Sequence, residues 1–102
     1  MDLLSRIKRL ALARRIVFTR KAEDEMYEDG LSEDEVIEAI VRAPRIEKVI
    51  RSVSEHRTGG PERLYVLKGY TFANVLIYTK GKIVRDAESE TFYILISSKR
   101  AL

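Results

Sequence analysis

The sequence predicts an α+β fold, with N-terminal helices packed on one face of a four- to five-stranded, mainly antiparallel sheet. Three observations carry this expectation. Apolar residues recur at helical spacing as far as Ala43, the period shortens to two from Arg45 onward, and the elements are joined by short connections without strand–helix alternation. The 102 residues, 45% of them hydrophobic, suit one domain spanning 1–102, and only five Gly and two Pro interrupt the periodic runs.

In the first helix Leu3, Ile7, Leu10 and Ala11 share one arc with Leu4 beside them, while Arg6, Lys8, Arg9, Arg14 and Arg15 fill the rest. Such a stripe docks on its own domain more often than on a membrane or an RNA backbone. Ile16-Val17-Phe18 is a short extended segment. A second helix starts at the N-cap Thr19, buries Ala22 and Met26, and stops at Gly30, which takes a left-handed conformation. Ser32 and Glu35 form a capping box that opens the third helix. Val36, Ile37, Ile40 and Val41 are its apolar stripe, and Pro44 ends it after Ala43.

Alternation then marks strands. Val49, Arg51 and Val53 oppose Lys48, Ile50 and Ser52, and a loop through His56, Arg57, Gly59, Gly60 and Pro61 leads to a strand over Arg63 to Tyr70. Phe72 to Lys80 reads as the next strand, Lys80-Gly81-Lys82 as a tight turn into Ile83-Val84, Arg85 to Glu90 as a polar loop, and Thr91 to Ser97 as the last strand.

The formal charge of +3 conceals a division. Residues 1–20 carry +5, residues 21–43 carry −7 and residues 44–102 carry +5. One surface should therefore repel polyanions and another attract them, because Lys and Arg gain affinity for phosphates through counterion release. The absence of cysteine excludes a disulfide framework, a thiolate zinc site and a Cys nucleophile. Charges break the apolar run near the N-terminus, which predicts a cytoplasmic protein without a membrane span.

No Gly-rich phosphate loop or metal-ligand cluster occurs, so neither cofactor nor metal is expected, and His56 is the lone histidine. What stands out is a set of cationic and aromatic side chains on and beside the predicted sheet. It comprises His56, Arg57, Arg63, Tyr65 and Lys68, then Tyr70, Tyr78, Lys80 and Lys82, then Lys99 and Arg100. These residue types suit metal-free RNA cleavage. There a 2′-hydroxyl attacks the neighbouring phosphate, cations stabilise the added negative charge, and a Tyr, His or Lys moves the protons. A Tyr ring also stacks on a splayed base. The competing reading is structural, with strand Tyr residues half-buried in packing and strand Lys residues protecting edges.

The stretch Leu4-Ser5-Arg6-Ile7-Lys8-Arg9-Leu10, followed by Val17-Phe18-Thr19-Arg20-Lys21-Ala22, resembles the opening of the MqsR toxins. Leu64-Tyr65-Val66-Leu67-Lys68 and Val75-Leu76-Ile77 resemble that family's closing strands. Ala22, Met26, Gly30 and Ser32, with Val36, Ala39, Ile40 and Pro44, are similar to small domains related to the RelE/ParE toxin superfamily. The resemblance implies an mRNA endoribonuclease toxin of a type II toxin–antitoxin pair, neutralised by a partner protein, with Tyr65 and Lys80 catalytic. His56 joins them as a proton-transfer candidate. Arg57, Arg63, Lys68, Tyr78, Lys82, Lys99 and Arg100 are the expected RNA-binding residues. The alternative expectation is a non-catalytic interaction module on the same scaffold.

Overall fold

The computed structural model describes residues 1–52 and 62–102. It contains α1 (Leu3–Leu12), β1 (Ile16–Phe18), α2 (Arg20–Glu28), α3 (Glu33–Arg42), β2 (Ile46–Ser52), β3 (Glu62–Tyr70), β4 (Leu76–Arg85) and β5 (Thr91–Arg100). The helices begin where their caps dictate. The Asp2 carboxylate accepts from the Ser5 amide at 2.8 Å and the Thr19 hydroxyl from the Ala22 amide at 3.2 Å. Ser32 and Glu35 cap reciprocally, Ser32 Oγ accepting from Glu35 N at 3.2 Å and the Glu35 carboxylate from Ser32 N at 3.0 Å. Gly30 adopts φ +70°, a conformation that costs a glycine little.

The strands form one mixed five-stranded sheet in the order β1-β5-β4-β3-β2. β2 to β5 make the expected antiparallel meander, and β1 adds to β5 in parallel, Ile16 opposite Tyr93. All three helices contribute to one core. Ile7 and Ala11 of α1, Ala22 and Met26 of α2, and Val36 and Ile40 of α3 pack in a cluster with Leu67, Ile77 and Leu95 from the sheet. The amphipathic α1 is thus part of the fold, and full burial of its Ile7 contributes roughly 1.5–3 kcal/mol.

Three boundaries differ from the sequence expectation. Lys80-Gly81-Lys82 is no turn: β4 continues through it to Arg85, with a register shift between Lys80 and Gly81. The reversal after β3 spans residues 71–75, so β4 starts at Leu76 and not at Phe72; there Asn74 adopts φ +66° and the Thr71 amide donates to Val75 O at 2.9 Å. Gly81 serves packing. A Cβ there would lie 2.6 Å from Cζ of Tyr93, so the ring occupies the space a side chain would need. The last strand also runs on to Arg100, paired with β4 on one side and held on the other by carboxylates of α2 and its C-cap.

That hold explains how the sheet protects one edge. β1 pairs with the first half of β5; beyond it, the Ser98 amide donates to Glu25 at 3.3 Å and the Arg100 amide to Asp29 at 2.8 Å. The Ser98 hydroxyl donates to Ala22 O at 2.9 Å. Carboxylates of α2 replace the missing strand and satisfy donors that would otherwise invite edge pairing.

Candidate nucleic-acid interface

Successive residues of a strand point to opposite faces, so cross-strand partners share a face. Tyr65 is opposite Gly81 and Val66 opposite Lys80. The Tyr65 parity of β3 faces the helices, since Tyr65 and Leu67 belong to the core cluster. The other parity faces away from them. There Lys68, Tyr78 and Lys99 form one row across β3, β4 and β5. Lys48, Val66, Lys80 and Ser97 form the next, and Lys82 stands opposite Ile94 in a third.

Of the expected site residues, the structure brings Lys68, Tyr78, Lys80, Lys82 and Lys99 onto this helix-free face. Lys99 Nζ lies 5.6 Å from the centroid of the Tyr78 ring and 4.0 Å from the Glu25 carboxylate. Lys82 is ion-paired with Glu62. Lys68 and Lys80 have no carboxylate partner among the described residues, which leaves both ammonium groups available to an anion. A groove of about 370 Å³ opens at the end of the first row, lined in part by Asp29, Lys68, Tyr78, Lys99 and Arg100.

Other expected residues lie elsewhere. Tyr65 is only 8% exposed and lies on the helix-facing side, so it and Lys80 do not converge on one surface. The reason is strand parity: the two lie one register step apart, which places them on opposite faces. Arg63, two residues from Tyr65, shares its side, and Arg100, opposite the buried Ile77, has the same parity at the far end of β5, where it still borders the groove. His56 and Arg57 fall outside the described residues. Lys48 is an addition that sequence reasoning missed. Its alternation with Val49 is visible, but only the pairing with Val66 places it in the row of Lys80, across β3.

Among the described residues of the sheet and its α2 edge, two groups titrate away from their ordinary values. Burial raises the Glu25 carboxyl, yet the hydrogen bond from Ser97 Oγ at 2.7 Å, the Lys21 and Lys99 charges and the Ser98 amide together bring it below its ordinary value. Burial pushes the Tyr93 phenol up, and the neighbouring Tyr65 adds to the shift. The Tyr93 hydroxyl is buried and has no hydrogen-bond partner among the described residues. Tyr93 belongs to the packed side of the sheet, and Glu25 to its β5 edge beside Lys99.

Chemically the helix-free face is a row of ammonium groups around one phenol ring, an arrangement that holds phosphates by charge and a base by stacking. No family model, curated protein or solved structure matches the chain.

Proposed function

We propose that the protein is a metal-independent endoribonuclease of toxin type, acting on mRNA laid across the helix-free face of the sheet. The observation that carries the reading is the Lys68–Tyr78–Lys99 row with Lys80 beside it, two of its ammonium groups lacking carboxylate partners among the described residues. In this reading Lys68 and Lys80 stabilise the phosphoryl oxygens as the 2′-oxygen attacks phosphorus. The 2′-hydroxyl gives its proton to solvent, the bond to the 5′ oxygen breaks, Tyr78 gives that oxygen its proton and regains one from solvent, and a 2′,3′-cyclic phosphate remains. Tyr78 takes this role in place of the buried Tyr65. An antitoxin that neutralises such a protein would cover the same face; the acidic α3 packs on the opposite side, and α2 borders the face only at the β5 edge, through Glu25 and Asp29.

A second reading, RNA binding without cleavage, is favoured by the separation of Tyr65 from Lys80, which leaves fewer proton-transfer groups beside the lysines. End-labelled RNA incubated with the protein in chelator separates the two. Cleavage to cyclic-phosphate ends, lost in Tyr78→Phe and Lys80→Ala with folding intact, supports the enzyme. RNA that is bound and stays uncut supports the binding module, and RNA that is not bound removes both.

A further inference from the structure

On the helix-facing side of the sheet, beyond the core, Arg51 of β2 stands directly opposite Arg63 of β3. Both side chains are exposed, and neither has an ion-pair or hydrogen-bond partner among the described residues. Like charges directly opposite one another across an antiparallel pair destabilise a sheet. The register is set by neighbours on both sides, Ile50 opposite Leu64 and Val49 opposite Tyr65, so the two arginines cannot separate by slipping. The next row inward, Val49 and Tyr65, gives this spot an apolar flank with Val49 half exposed. Arg85 of β4 shares the same face, two residues beyond Ile83, and adds a third guanidinium near the same end of the sheet.

We propose that Arg51 and Arg63 together bind one tetrahedral phosphate dianion, a phosphomonoester or free phosphate. Two guanidinium groups held side by side present parallel N–H donors to the oxygens of a single phosphate, and a dianion cancels the repulsion that the register imposes. A monoester at a chain end or free phosphate carries that second charge; a phosphodiester within a chain does not. The site lies on the opposite side of the sheet from Lys68 and Lys80 and stands whether or not the helix-free face binds RNA.

The sign of the mutational effect tests this. In low-salt buffer without multivalent anions, Arg51→Gln and Arg63→Gln should each raise the melting temperature by roughly 2–5 °C through relief of repulsion. At constant ionic strength, replacing chloride by phosphate should raise the wild-type value and leave both variants unmoved, while Lys48→Gln keeps the wild-type response. A 5′-phosphorylated oligonucleotide that binds several-fold more tightly than its 5′-hydroxyl counterpart, with the gain lost in Arg63→Gln, assigns the site to a chain end. Protection by inorganic phosphate with no such gain assigns it to free phosphate. Equal melting temperatures in phosphate and chloride, or variants that melt lower in both buffers, overturn the proposal.

Discussion

Gly69 of β3 lies directly beneath the carbonyl of Ala39 in α3, so close that a Cβ on Gly69 would come within 1.9 Å of that oxygen. The clash is with backbone, which no rotamer change relieves. Around this contact, the Arg42 guanidinium donates to Tyr70 O at 3.0 Å and stacks 4.5 Å from the centroid of the Phe72 ring, and the Phe72 amide donates to Glu38. The missing side chain at Gly69 thus sets how closely α3 lies on the sheet.

Gly69→Ala is therefore expected to destabilise the fold by about 2–4 kcal/mol, since α3 must lift away from β3. Urea unfolding followed by circular dichroism measures it. A midpoint unchanged from wild type would show that the helix does not rest on this contact.

Tyr93→Phe should act in the opposite direction. Its hydroxyl is buried without a partner among the described residues, and removing an unsatisfied polar group while keeping the ring over Gly81 should stabilise by about 1 kcal/mol. The expected readout is a melting temperature higher by roughly 4–8 °C. A lower value would reveal a partner for the hydroxyl.

The same phenol makes stability depend on alkaline pH. Its folded-state pKa is raised, so the native state holds the proton after the unfolded chain has lost it, and stability falls as pH rises above about 10. Ultraviolet titration of the five tyrosines should show one that ionises only on unfolding. Reversible ionisation of all five in the folded protein would contradict this.

Glu25 makes stability depend on acid. Its folded-state value is depressed, so its contribution is present above the ordinary value of 4.5 and lost as pH falls through the folded value. Glu25→Gln should cost roughly 1–2 kcal/mol at neutral pH, because Ser97 and Ser98 both donate to this carboxylate, and should flatten the acid limb of the stability profile. A variant whose profile parallels wild type below pH 5 would place the acid sensitivity elsewhere.

On the helix-free face, Lys68→Ala and Lys80→Ala should each weaken single-stranded RNA binding across sequences and each reduce the slope of log affinity against log salt by about 0.7. With 5′-hydroxyl RNA, Arg63→Ala, on the other side, should leave that slope unchanged. Fluorescence anisotropy at several salt concentrations distinguishes them, and equal effects of all three would mean that the two faces do not act separately.

The helices were legible in the sequence because their signals are local. Thr19, Gly30, the Ser32–Glu35 pair and Pro44 each act within a few residues, and the apolar stripes of α1 and α3 are the ones buried. Alternation within β3 by itself puts Tyr65 and Lys68 on opposite faces. Gly81 was misread because a glycine between two lysines has two local meanings. The Tyr93 ring that selects between them comes from the neighbouring strand.

What the chain determines by itself is the type of each element and which of its residues share a side, since both depend on the short-range geometry of helix and strand. Tertiary pairing alone decided which sides meet. The extra residue at Glu47, the shift between Lys80 and Gly81 and the parallel docking of β1 are non-local. Strand pairing puts Lys48 in one row with Lys80 across Val66, sets Arg51 opposite Arg63 and leaves Tyr65 behind the sheet, because register is a property of two strands and no single strand carries it.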